Sequence, residues 1–396
     1  MRNRSVSIIF GSLVLWGLIT TYFLISDQPV NKEQDTVRIK IIAMFKVLLK
    51  YNDVSRNVPT KGKLPNGSPI IAVLVFSCNR VTVKRCLDQL VKYRPSVEQF
   101  PIIVSEDCQH RQTAEIINRY GNQIINLINP ILKYRQKRKN LRGTSKLHAI
   151  MDGLLIMSFF NDLDVAPDFF EYFLGTYPLL VSDNSLWCVS AWNDNGKAGL
   201  VDENGSDILY RTDFFPGLGW MLTRQLWAEL SPKWPKSYWD DWIRQPEQRR
   251  NRACIRPEIS RTRTFGKTGV SNGMFYERHL KYIKLNTEFV HFTKMNLTYL
   301  LKDNYDISFV NDVYQSTVVS FSELKNGKVM APGAVRIPYY SRQAYKNTAK
   351  QFGLMDDFRS GVPRTGYRGV VTFFYKGRRV HLAPSANWNG YDITWS

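Results

Sequence analysis

Three acidic places in this chain are spaced for chemistry. The first is Asp107, in the run Ser105-Glu106-Asp107-Cys108, and an apolar run upstream ends similarly in Ser77-Cys78-Asn79-Arg80. At a strand end, a carboxylate can accept hydrogen bonds from a nucleoside and a guanidinium can meet a phosphate. Ordinary loop capping would use the same residues. The second place is Asn161-Asp162-Leu163-Asp164, followed by Asp168. A carboxylate there can hold Mn2+ or Mg2+ through hard oxygen donors, and such a cation stabilises a diphosphate leaving group as a Lewis acid. Solvated turn residues or helix caps are the plainer reading of an Asp-x-Asp pair. The third is Tyr238-Trp239-Asp240-Asp241-Trp242. Aromatic rings can stack on the apolar face of a sugar while a carboxylate removes a hydroxyl proton. A helix start whose dipole favours acids gives the same pattern.

The elements that must position these residues are legible in the hydrophobic pattern. Ile70 to Phe76 is an unbroken apolar run rich in β-branched residues, as in a strand buried on both faces. A helical stretch over 81–94 follows, then a strand at Pro101–Ser105, a helix over about 112–120 and a strand at Ile124–Ile128. This alternation predicts a doubly wound parallel α/β sheet, whose carboxyl edge is where nucleotides bind. Further on, Pro167 to Tyr177 reads as a helix, Leu186 to Trp192 as a strand, and Gly217-Leu218-Gly219 as a tight loop. From Val335 the pattern turns β-rich, notably at Gly369–Tyr375 and Arg379–Leu382. The expected organisation is a nucleotide-binding domain over 67–300 and a smaller β-rich domain over 301–396.

The chain has 396 residues, 44% of them hydrophobic and 13% aromatic, enough for a sizeable core. The net charge of +20 invites a nucleic-acid reading. The basic residues are dispersed, however, and no recognition helix, finger or RNP pattern is present, so nucleic acid is not the expected partner. Arg2 and Arg4 precede an apolar stretch from Val6 to Ile25, and Asp27 follows it. That length suits one membrane crossing, and the charge asymmetry keeps the N-terminus cytosolic. The expectation is a tail over 1–5, an uncleaved signal anchor over 6–25, a stem over 26–66 and a lumenal remainder. Five cysteines in an oxidising lumen allow two disulfides and one free thiol. Cys86, inside an amphipathic pattern with Val83, Leu87 and Leu90, is the candidate free thiol. None forms a CxxC or Cys/His cluster, which argues against zinc. Asn204-Gly-Ser and Asn296-Leu-Thr are possible glycan acceptors.

Longer motifs narrow the reading. Arg94-Pro-Ser with Phe100 to Ser105, Val165 to Phe173, Leu186 to Gly196, Tyr210 to Trp220 and Ala253 to Thr262 together resemble the N-acetylglucosaminyltransferase I family over about 70–130 and 162–396. The resemblance implies a GT-A nucleotide-sugar fold, a type II Golgi anchor and Mn2+ dependence. It implies inverting transfer of N-acetylglucosamine from UDP-GlcNAc to the 2-hydroxyl of a mannose on the α-1,3 arm of high-mannose N-glycans. By position it casts Asp240 as the general base and Asp162 as the metal-ligating carboxylate. It casts Arg80, Asp107, Leu218, Trp239 and Ser271 as donor contacts, and pairs Cys78 with Cys108 and Cys188 with Cys254.

Residues 131–161 depart from the family pattern, which has a basic-aromatic segment and then an apolar strand ending in Glu-Asp-Asp. Here the acids are preceded by Phe160-Asn161. Permitted codons for Asn140 through Leu155, read one nucleotide upstream, encode residues of the kind the family carries, which points to a frame or exon-boundary error. A catalytically inactive sugar- or nucleotide-binding Golgi relative is the alternative. A related transferase acting on O-linked mannose carries an additional stem domain, for which residues 26–66 leave no room.

Overall fold

The computed structural model describes residues 64, 66–106, 110–128, 154–158, 162–235, 238–267 and 273–395. Ile71–Ser77 (β1) is buried along its whole length, as an unbroken apolar run requires of a strand covered on both faces. Its side chains alternate between two cores. Ile71, Val73 and Val75 face one, with Leu87, Phe169 and Phe173. Ala72, Leu74 and Phe76 face the other, with Trp187, Trp220, Trp227 and Trp234.

Val83–Tyr93 (α1) buries Val83, Cys86, Leu87 and Leu90 on one face. Ile102–Glu106 (β2), Arg111–Asn118 (α2) and Ile125–Ile128 (β3) repeat the unit. Leu154–Ser158 (β4) then pairs with the far side of β1, so β3, β2, β1 and β4 are all parallel and the chain direction across the sheet reverses at β1. Beyond β4 come Leu163–Val165 (β5), Phe169–Ser182 (α3), Leu186–Ser190 (β6), Leu209–Thr212 (β7), Trp220–Leu222 (β8), Arg224–Leu230 (α4), Trp239–Ile243 (α5), Ala253–Pro257 (β9) and Thr262–Thr264 (β10).

The main sheet has eight strands in the order β3-β2-β1-β4-β8-β6-β9-β7. It corrects the wholly parallel expectation. β8 runs antiparallel to both β4 and β6, and β7 antiparallel to β9. The three residues of β8 are too short to register as a strand by periodicity. They enter from the Gly217–Gly219 loop without the crossover helix that a parallel strand needs. β5 leaves this sheet and pairs antiparallel with β10.

A second sheet, of order β11-β12-β16-β15, is built from Thr317–Val318 (β11), Val335–Pro338 (β12), Val371–Tyr375 (β15) and Arg378–Ala383 (β16). Between them lies the hairpin Phe358–Arg359 (β13) and Val362–Pro363 (β14). This sheet has its own core, in which Val335, Ile337, Val371, Phe373 and Leu382 pack against Tyr345 and Phe352. The helix Lys302–Gln315 (α6) instead sends Tyr305, Phe309 and Val313 into the core of the main sheet.

Cys188 and Cys254 are register partners on β6 and β9 and form a disulfide. It closes a loop spanning a sequence separation of 66 residues. Replacing both by Ser is expected to cost about 2–4 kcal/mol, readable as a lowered Tm of the full chain. Cys78 is disulfide-bonded, and its expected partner Cys108 lies outside the described residues. Cys86 is free and buried, with burial pushing its thiol up to about 12. A free, buried thiol is what the amphipathic pattern predicts. The expected anchor, residues 6–25, and the departing segment 131–161 apart from 154–158 also lie outside the described residues. Among the described residues no helix is long and apolar enough to cross a membrane.

Candidate active site

Asp162 sits between β4 and β5, at the carboxyl end of a parallel strand beside β1. Its backbone carbonyl accepts the Phe265 N–H at 2.9 Å, continuing the β5–β10 ribbon. Arg80, just past the end of β1, donates from Nη1 to Oδ2 at 3.1 Å. The other carboxylate oxygen, Oδ1, is buried with no hydrogen-bond partner. Burial pushes the carboxyl up, and the Arg80 charge pulls against it. A buried, orphaned carboxylate oxygen at this edge is what a divalent cation requires of a protein that supplies few ligands and leaves the rest to phosphate and water. Among the described residues no group of three or more His, Cys, Asp or Glu could hold a metal ion.

Gly266 closes over this carboxylate. A Cβ at that position would lie 1.6 Å from Asp162 Oδ2 and 2.4 Å from its Cγ. Any larger residue would force the Asp162 carboxylate or the backbone to move, and no local pattern marks this glycine.

The second acid of the Asp-x-Asp pair has a different role. Asp164 accepts from Arg85 Nε and Nη2 at 2.7 and 2.6 Å, Gln89 Nε2 at 2.7 Å and Arg263 Nη2 at 3.0 Å. Burial pushes its carboxyl up, but these donors hold it below the usual carboxylate range. The Arg85 guanidinium also lies over the Phe265 ring at 4.3 Å. Asp164 thus clasps α1 to the ribbon, with its oxygens already occupied.

The same ribbon reaches the glycine loop. Thr262 Oγ1 donates to the Leu218 carbonyl at 2.6 Å. Gly219 adopts φ +85, and a Cβ there would meet Thr262 Cγ2 at 2.8 Å. Gly217 lies against α5, its Cβ position at ordinary contact distance from the Trp239 ring, 3.6 Å, and from Arg244 Nη2, 3.7 Å. Trp239 stacks against both Trp220 and Trp234, with centroids 6.1 and 5.7 Å away. Tyr238 caps α5 in the left-handed region, φ +51, a conformation costing a non-glycine residue about 1 kcal/mol or more.

Asp240 and Asp241 fall in the first turn of α5, so the helix-start reading also holds. Asp240 Oδ2 accepts from Arg244 Nη1 at 3.1 Å, and its side chain remains 45% exposed. Arg244 is itself buried, donates from Nε to the Phe215 carbonyl at 3.1 Å and stacks over Phe214. Asp241 is taken by Arg359 Nε at 2.8 Å.

Five expected site residues are therefore linked. Arg80 and Asp162 touch, and the ribbon and glycine loop connect them through Leu218 to Trp239 and Asp240. Asp107 and Ser271 lie outside the described residues, although Glu106, next to Asp107, pairs in register with Ser77 at the end of β1. Sequence reasoning missed Gly266, Arg244 and Arg359. Arg244 stands four residues after Asp240, a helical spacing that signals an ion pair; nothing local signals the other two.

The sequence pattern of the GNT-I family matches residues 30–134 and 154–395. The alpha-1,3-mannosyl-glycoprotein 2-beta-N-acetylglucosaminyltransferase of Arabidopsis thaliana is 35% identical over 360 residues, covering 85% of this chain and 79% of its own length. Among solved structures, S. aureus TarS 1-349 overlaps with a TM-score of 0.33 at 13% identity, covering 72% of this chain and 80% of its own. The Pyrobaculum calidifontis mannosyltransferase PcManGT overlaps with a TM-score of 0.29 at 15% identity, covering 50% of this chain and 58% of its own. Overlaps this loose carry no argument. The break in the family match, 135–153, falls inside the segment that departs from the pattern.

Proposed function

The chain belongs to the GNT-I family, and we propose that it is an inverting glycosyltransferase with a GT-A type fold. It transfers N-acetylglucosamine from UDP-GlcNAc to the 2-hydroxyl of a mannose on the α-1,3 arm of high-mannose N-glycans, the step that opens hybrid and complex glycan synthesis. The observation that carries this reading is the connection of a buried, half-orphaned carboxylate at Asp162 to a half-exposed one at Asp240 through a glycine loop and a tryptophan stack.

Asp162 Oδ1 would hold Mn2+, which when bound offsets negative charge on the diphosphate. Arg80, at the same edge, adds a guanidinium suited to a phosphate oxygen. Asp240 takes the proton from the mannose 2-hydroxyl. The freed oxygen attacks the anomeric carbon as its bond to the diphosphate breaks, and UDP leaves from the opposite face. A single displacement of this kind inverts the anomeric centre. Trp239 and Leu218 would shape the donor pocket beside Asp240, and the family resemblance assigns Asp107 and Ser271, outside the described residues, to the donor as well.

The proposal extends to a type II Golgi protein anchored by residues 6–25, with the catalytic domain over 67–300 and a smaller one over 301–396. It extends also to a frame or exon-boundary error behind residues 131–161, supported by the break in the family match. Sequencing the transcript across the codons for 131–165 is expected to show the other frame and a strand ending in Glu-Asp-Asp; a transcript matching the chain overturns that point.

The activity test incubates the purified chain with labelled UDP-GlcNAc and a mannose-terminated N-glycan. Transfer that needs Mn2+, stops on chelation and yields a β-linked product is the expected result. UDP release without transfer, or no turnover at saturating donor and Mn2+ by the protein encoded by the sequenced transcript, overturns the proposal.

A further inference from the structure

Asp240 and Asp241 are adjacent in α5, yet their carboxylates belong to different partners. Arg244 Nη1 lies 3.1 Å from Asp240 Oδ2 and 3.7 Å from Asp241 Oδ1. The cation could serve either acid. What separates them is Arg359, on β13, whose Nε donates to Asp241 Oδ1 at 2.8 Å. Arg359 Nη1 also meets Asp357 Oδ2 at 3.3 Å. Asp357 in turn accepts from Arg364 Nε at 3.1 and 3.0 Å and Nη2 at 2.8 Å. Arg364 Nη1 donates to Asp194 at 2.8 Å. Arg364 and Arg244 both stack on Phe214, each 4.7 Å from its centroid. The charged groups around the two α5 acids therefore form one circuit, and its cations beyond Arg244 come from the β13–β14 hairpin and the residues beside it.

We propose that Arg359 is a positioning residue for the transfer reaction: by holding Asp241 it reserves Arg244 for Oδ2 of Asp240 and leaves Oδ1 of Asp240 free to take the proton. This rests on Asp240 being the base, as proposed above. The β13–β14 hairpin is then part of the catalytic unit. Guanidinium suits the task because its planar fork holds Asp241 and Asp357 together, which a lysine ammonium does with less directional control.

The consequences have signs. Without Arg359, Asp241 carries an uncompensated charge, competes for Arg244 and repels a second negative charge beside it. Asp240 then binds its proton more readily, and the acid limb of kcat/KM moves to higher pH.

The test compares the full chain with R359Q, R359K, D241N and the D241N/R359Q double variant. In R359Q the acid limb is expected to rise by about 0.5–1 pH unit, and kcat near neutral pH to fall about tenfold, with donor KM unchanged. D241N alone moves the limb down, R359K lies between R359Q and the parent, and the double variant returns both limb and kcat towards the parent. A second readout needs no turnover: the pH of half-maximal carbodiimide labelling at Asp240, read by mass spectrometry, follows the same order. Absence of transfer by the parent overturns the proposed function and with it the catalytic use of Asp240, while the labelling order separately decides whether Arg359 reserves Arg244 for Asp240. An R359Q variant that loses activity with neither midpoint moved, or a double variant that restores nothing, overturns it.

Discussion

Asp240→Asn is expected to lower the rate of transfer by about 10²- to 10⁴-fold, the range a positioned general base contributes. Asparagine keeps the shape and one acceptor oxygen but cannot take the mannose hydroxyl proton. The fold should tolerate the change. Asp240 is nearly half exposed, and exposed ion pairs contribute at most about 1 kcal/mol. Arg244 keeps its bond to the Phe215 carbonyl, its stacking on Phe214 and the nearby Asp241 carboxylate. Binding of UDP with Mn2+, measured by titration calorimetry, should stay within about twofold while kcat collapses, since the lost interaction arises only in the transition state. Asp241→Asn should lower kcat far less, because Asp241 is already committed to Arg359. A D240N enzyme retaining a third or more of parental kcat would show that the base lies elsewhere.

Gly266→Ala should be nearly as damaging although it adds a single methyl group. The new Cβ would sit 1.6 Å from Asp162 Oδ2, inside any possible contact distance. The carboxylate cannot easily retreat. Its own backbone is tied to Phe265, Oδ2 is held by Arg80, and the β5–β10 register fixes both strands. Either the carboxylate rotates away from Arg80 or the ribbon opens. A displacement near 1 Å at the carboxylate proposed to hold the cation should cost about 10²-fold in turnover, and overpacking of this kind costs about 1–3 kcal/mol of stability. The distinguishing measurement is Mn2+-dependent UDP binding, which should weaken in G266A and persist in D240N. Parental Mn2+ and UDP affinity in G266A would mean that the Asp162 carboxylate is not the cation's ligand in the orientation seen here.

The sequence alone determined the β1-α1-β2-α2-β3 half of the sheet, the buried free thiol at Cys86, and the order of motifs that carries Asp162, Trp239 and Asp240. These features depend on periodicities of two and 3.6 residues and on signatures read within a few positions of each other. It missed the antiparallel β8, whose three residues are too short for any period to show. Residue type and spacing also did not rank the acids in each pair; only the family resemblance singled out Asp162 and Asp240. Asp162 and Asp164 stand two apart in the chain, but Asp164 is filled by Arg85 and Arg263, 79 and 99 residues away, while one oxygen of Asp162 is left orphaned. Asp240 and Asp241 are adjacent, and Arg359, 118 residues on, chooses between them. Gly266 becomes a requirement only once the ribbon lays it against a carboxylate. Local pattern decides what each segment becomes. Which carboxylate keeps a free oxygen is decided by the distant cations and backbone that packing brings to it.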